Sequence, residues 1–216
     1  MGETQTPQAT PATTINFTGI NLGPLADPDF VDAAQSLGCA VAAIKAVAEV
    51  EAAGTGFFKQ PDNRPKILFE AHLFSKFTAK KYDASHPAVS SPKWNQALYK
   101  RGPAEYDRLG QAMQLDRAAA LKSASWGKFQ ILGMHYGTCG YADVEGFVKA
   151  QCDSERAQLD AFVKFIKANP KMHAALREQR WDEFALRYNG TGYKQNKYDT
   201  KLAAAFAKHS AAGAGQ

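Results

Sequence analysis

The chain has 216 residues, 45% of them hydrophobic and 22% charged, which suits one domain with a sizeable core. Its formal net charge of +5 favours anionic partners, but the lysines and arginines are spread along the chain, so no nucleic-acid reader is implied. Cys39, Cys139 and Cys152 fall in no CxxC or CxxH spacing, which argues against a disulfide framework or zinc site and predicts buried free thiols.

The opening MGETQTPQATPATT is rich in Thr, Pro and Gln and cannot offset its ordering entropy, so residues 1–18 read as a flexible leader. It lacks the charged and apolar regions of a secretory signal, and no stretch reaches the roughly twenty apolar residues of a membrane span. Synthesis in the cytoplasm without a Sec signal, and no stable membrane insertion, are the expectations. Asp27-Pro28 starts a first helix that stops at Gly38.

A central helix follows over 39–53. Within IKAVAEVEAAGTGFF, Ile44, Val47, Ala48 and Glu51 share one face, so Glu51 lies on an apolar stripe. A carboxyl there is either a structurally paired group or a general acid kept protonated by burial. Glu49 falls off the stripe and reads as a solvated charge.

FFKQPDNRPKILFEA carries a turn cluster between two apolar runs, as in a small β-hairpin or an extended loop, with Glu70 at its far end. Lys66, Arg64 and His72 nearby are expected to keep Glu70 charged, and a plain salt bridge to Arg64 is the competing reading. Residues 74–102 show no clean period; Tyr82, Trp94 and Tyr99 there read as a sugar groove or as lids over the core. Pro103 opens a helix over 103–122.

SASWGKFQILG concentrates small, aromatic and amide residues; Gly127 permits close backbone approach, and Gln130 is either a sugar-binding amide or a buried core amide. Helices are predicted over 143–151 and 153–168, a further one through Trp181, Phe184, Ala185 and Tyr188 to Asn189-Gly190, and a last one over 198–208. The whole is mainly α with one small β element.

Together, EVEAAGTGFF, RPKILFEAHLF, SASWGKFQILG, RYNG and YDTKLAAAF resemble the N-acetylmuramidase domain family of phage endolysins and related bacterial proteins. Their order is also similar to the wider lysozyme-like group, including goose-type lysozymes and soluble lytic transglycosylases. The resemblance implies a lysozyme-like catalytic domain over 19–209, with a disordered tail over 210–216. It matches Glu51 to the catalytic acid, Gly127 and Gln130 to a G-x-x-Q element, and Tyr188 and Asn189 to a late substrate-binding motif; Ser125 joins them as a substrate-binding candidate. Where relatives often carry Glu-Ser, this chain has Glu51-Ala52, so the orientation of the Glu51 carboxyl must come from elsewhere.

Glycoside hydrolysis commonly uses a second carboxyl, for which Glu70 is the candidate, with Asp62, Asp83 and Asp107 as further carboxylates and His72 as a group that could orient Glu70. The expected activity is muramidase cleavage of the β-1,4 bond between N-acetylmuramic acid and N-acetylglucosamine in peptidoglycan, by a monomer with no metal or other cofactor. It would act in the periplasm after release through a holin or a secretion system. A lytic transglycosylase and a non-catalytic wall-binding module are the alternatives.

Overall fold

The computed structural model describes residues 16–52 and 54–213. α1 (Asp27–Leu37) has Pro28 in its first turn and ends on Gly38, whose φ of 60° is the left-handed conformation that glycine adopts without steric cost. α2 (Val41–Ala52) follows after a bend and buries Ile44 and Val47 between α1 and the last helix.

The small β element is a three-stranded antiparallel sheet of β1 (Ile67–Phe69), β2 (Ala124–Trp126) and β3 (Ile131–Leu132). The tight hairpin is therefore β2–β3, formed by the SASWGKFQILG segment. FFKQPDNRPK is the extended loop, closed by a single bridge between Phe57 and Pro65 and by the Phe58 N–H on the Arg64 carbonyl at 2.8 Å. β1 runs from that loop to Glu70, and its register sets Leu68 opposite Ser125.

The irregular segment begins with a short helix, α3 (Ala71–Phe77), and continues as a strap over residues 78–101. The single helix expected over 103–122 is two, α4 (Glu105–Leu115) and α5 (Arg117–Lys122). They break at Asp116, whose side chain caps α5 by accepting from Ala119 N at 2.9 Å. α6 (Val144–Asp153) and α7 (Glu155–Lys167) stand where predicted, separated by the capping Ser154. α8 (Pro170–Arg177) was not predicted, although Asn169 as cap with Pro170 at the first helical position is a start signal. α9 (Trp181–Asn189) ends at Gly190, and α10 (Tyr198–Gly213) runs beyond the expected end at 208, so the tail is helical as far as Gly213.

Trp126, Phe129, Phe147, Phe162 and Phe184 are among the largest fully buried side chains and fill the core between the sheet and α6–α9. Residues 1–15 of the expected leader lie outside the described residues; Phe17 is inside them and stacks on Trp126 at 5.9 Å. Cys139 and Cys152 are buried free thiols, and Cys39 is a half-buried one. Among the described residues no single helix is long and apolar enough to cross a membrane.

Candidate active site

Glu51 occupies the last turn of α2, partly buried, with Asn189 Nδ2 donating to its Oε1 at 2.8 Å. Burial pushes its carboxyl up to about 7, against the smaller opposing effects of that hydrogen bond and of the Lys201 charge. The negative end of the α2 dipole acts in the same direction as burial. Asn189 is delivered by the end of α9, and its Oδ1 is buried with no hydrogen-bond partner among the described residues. That orphan acceptor is free for a substrate N–H or a water molecule. Tyr188, beside it, packs among Phe162, Phe165 and Phe184 and donates to the Phe129 carbonyl at 2.5 Å, which ties α9 to the β2–β3 turn.

The loop after Glu51 rests on that same turn. A Cβ on Gly56 would lie 2.8 Å from Lys128 N, and one on Gly127 would lie 2.5 Å from Gln158 Cδ, so both positions require glycine. Gly127 also has a φ of 68°. Beneath the turn, Lys128 and Glu155 form a buried ion pair at 2.9 Å; Lys128 also donates to the Gly54 carbonyl, and Glu155 accepts from Gly56 N at 2.6 Å. Gln130 turns its amide inward, donating to Gly127 O at 2.8 Å and Lys66 O at 3.3 Å and accepting from Ser125 Oγ at 2.8 Å. Both of its N–H donors are thereby used, and only one acceptor position is left for a ligand.

Glu70 stands at the other end of β1, just ahead of α3. Tyr99 Oη donates to its Oε2 at 2.7 Å, Trp94 Nε1 donates to Tyr99 Oη at 2.8 Å, and His72 Nδ1 lies 3.2 Å from the same carboxylate oxygen. Burial raises the Glu70 pKa, while Tyr99, His72 and Arg108 pull it back. This departs from the expectation that Lys66 and Arg64 keep Glu70 charged: Arg64 pairs with Asp62 and stacks over Tyr106 at 4.0 Å. His72 thus lies within reach of Glu70, as an orienting group would. Trp94, 59% exposed, and Tyr99 border it, whereas Tyr82 stacks on Phe74 in the core.

The other carboxylates are occupied elsewhere. Asp83 accepts from Ser75 and Ser90, and Asp107 is exposed near Lys100. Glu49 is exposed and pairs with Lys208 and His209, as a solvated charge should. A cavity of about 330 Å³ near α2 is lined by Glu49 and Lys128 and does not include Glu51.

Two parts of the site were not assigned from the sequence. Tyr198 and Lys201 stand one turn apart at the start of α10: the Lys201 charge lowers the Glu51 pKa, and Glu51 together with burial raises that of Tyr198; their i, i+3 spacing was the available signal. The Glu105–Arg108 pair beneath Glu70 is the other. Arg108 reaches Glu105 Oε2 at 2.9 Å and donates to Phe69 O, while Glu105 accepts from Lys100 N and Arg101 N, so one pair holds both the end of β1 and the strap that carries Tyr99.

The N-acetylmuramidase profile matches residues 40–210, which includes Glu51, Glu70, the β2–β3 turn and Asn189. The chain belongs to the N-acetylmuramidase family. It is a peptidoglycan-degrading muramidase, a glycoside hydrolase of the mainly α, lysozyme-like class. The crystal structure of the Burkholderia AP3 phage endolysin matches this muramidase with 44% sequence identity and a TM-score of 0.80, over 88% of this chain and 72% of that one. Nothing among curated proteins matches the chain.

Proposed function

We propose that Glu51 is the general acid of the muramidase and that Glu70 is its second carboxyl group. One observation carries the reading: a helix-end carboxyl, pushed to about 7 by burial, is held by a single amide that itself keeps an unused acceptor. At neutral pH a large share of Glu51 is protonated and can deliver its proton to the leaving glycosidic oxygen. As the proton leaves, Asn189 Nδ2 and the Lys201 charge stabilise the carboxylate that forms. Glu70, ionised and oriented by Tyr99 and His72, assists the water that attacks the anomeric carbon. Tyr188, Ser125 and Gln130 hold the turn between the two carboxyls, and Gln130 meets the glycan through its remaining acceptor position. Asn189 Oδ1 accepts from an acetamido N–H of the sugar.

The biological role we propose is that of an endolysin, made in the cytoplasm and working as a monomer on the periplasmic wall after release through a holin. Its likeness to a phage endolysin at 44% identity supports this, and the net charge of +5 suits an anionic wall.

Mass spectrometry of the fragments released from purified peptidoglycan by wild type and by Glu51→Gln tests the catalytic reading. Reducing muramic acid ends from the wild type, absent with the variant, are expected. Anhydro ends would remove any need for Glu70, and undiminished release by Glu51→Gln would remove Glu51 as the acid.

A further inference from the structure

His72 touches more than Glu70. With Ser75, Lys76, Ala79, Lys80 and Pro92 it lines a cavity of about 560 Å³, a size that holds a small organic ligand rather than one ion. Two ammonium groups border this space, and neither Lys76 nor Lys80 has an ion pair among the described residues. The acids nearest to it are already engaged. Asp83 is held by the hydroxyls of Ser75 at 3.0 Å and Ser90 at 2.5 Å, and Glu70 is covered by Tyr99 and His72.

The backbone around the second lysine is fixed. Ala79 and Lys80 both take left-handed conformations, with φ of 51° and 64°, and the Lys80 N–H closes the turn on Ser75 O at 2.7 Å. Lys80 is thus set beside Lys76 by the end of α3. A cationic cavity that opens directly next to the second carboxyl must meet whatever projects from the glycan near the scissile bond.

In peptidoglycan the chemistry of that projection is known from the polymer itself. Where muramic acid carries its peptide, the lactyl carboxyl is consumed in an amide, and the remaining negative charge lies on the carboxylates of the peptide stem. We infer that this cavity receives the carboxylate-bearing peptide stem of the muramic acid next to the scissile bond, and that Lys76 and Lys80 are specificity-determining residues favouring peptide-substituted over stripped glycan. The inference rests on the reading that Glu70 faces the glycan.

The test compares kcat/KM of the full chain on peptide-bearing glycan and on the same glycan stripped of stems by an amidase. The enzymes are wild type, Lys76→Gln/Lys80→Gln, and Lys149→Gln/Lys171→Gln as a control for net charge. On peptide-bearing glycan the Lys76/Lys80 variant should lose about fivefold, the combined effect of two exposed ion pairs, while stripped glycan and the control variant show little change. Equal losses on both substrates would reassign the lysines to general attraction to the wall or to the free lactyl carboxylate. No loss on either would leave the cavity without this role, and both results overturn the inference. Its failure is separable from that of the muramidase site: reducing ends released from stripped glycan report on Glu51 and Glu70 whatever the lysines do.

Discussion

Each end of the site rests on one buried ion pair, and the two pairs serve different surroundings. Behind Glu51, Lys128 and Glu155 hold glycine backbone, at Gly54 and Gly56. Little polar contact reaches the carboxyl itself, so desolvation dominates and its pKa climbs to about 7. Behind Glu70, Arg108 and Glu105 hold the end of β1 and the strap that carries the Tyr99 phenol; Arg108 adds its own charge, and the His72 imidazole comes from the adjoining α3. Burial is the largest influence on both carboxyls; at Glu51 one amide and one lysine charge oppose it, and at Glu70 a phenol, an imidazole and a guanidinium do. Changes near Glu51 should therefore act mainly through solvent, and changes near Glu70 through individual partners as well.

The largest effect comes from breaking a support. Glu105→Gln leaves Arg108 charged and unpaired in the core, and thermal unfolding should show a loss of about 3–5 kcal/mol. Activity at the Glu70 end should fall with it, because Tyr99 loses its anchored strap; a variant as stable as wild type would show that the pair is dispensable. Next in size is Glu70→Gln. Removing a carboxyl that assists water should lower kcat by about 100-fold at the optimum. The acid limb of the pH profile should vanish, since Glu70 must be ionised to act. A retained acid limb would assign it to another group.

An effect of opposite sign is expected at Glu51. Its folded pKa, about 7, lies above the ordinary 4.5, so the native state binds the proton more tightly than the unfolded chain. Native stability is then greatest below the unfolded value and declines as pH rises through the folded one. Glu51→Gln keeps an acceptor for Asn189 and removes this decline. Its stability should match wild type near about pH 4 and exceed it near about pH 8 by roughly 3 kcal/mol. Equal stabilities at both would mean that Glu51 is not desolvated.

The Glu51 end was legible in the sequence because helical period places Glu51 on the stripe with Ile44 and Val47, and because glycines mark where the loop must approach the β2–β3 turn. The pairing of β1 with β2 was not, since the partners are more than fifty residues apart and each strand has only three residues. The break at Asp116 and the helix at Pro170 had local cap signals that were outweighed by the apolar runs around them. The Glu70 end was the least legible. Arg64 and Lys66 are its neighbours in sequence, yet its partners Tyr99 and Arg108 arrive across the strap and α4, and no local pattern announces contacts of that range.

That difference in range suggests the finest test. Tyr99 Oη donates to Glu70 and lowers its pKa, against the larger effect of burial. Tyr99→Phe removes the donor and keeps the ring, so Glu70 should titrate higher and the acid limb of kcat/KM should move up by about 0.7 pH unit, in keeping with one hydrogen bond of roughly 1 kcal/mol. The basic limb, set near 7 by Glu51, should stay where it is. A downward shift of the acid limb would mean that Tyr99 stabilises the protonated Glu70 instead. Movement of both limbs together would mean that the two carboxyls titrate as one unit, and that Tyr99 does not act on Glu70 alone.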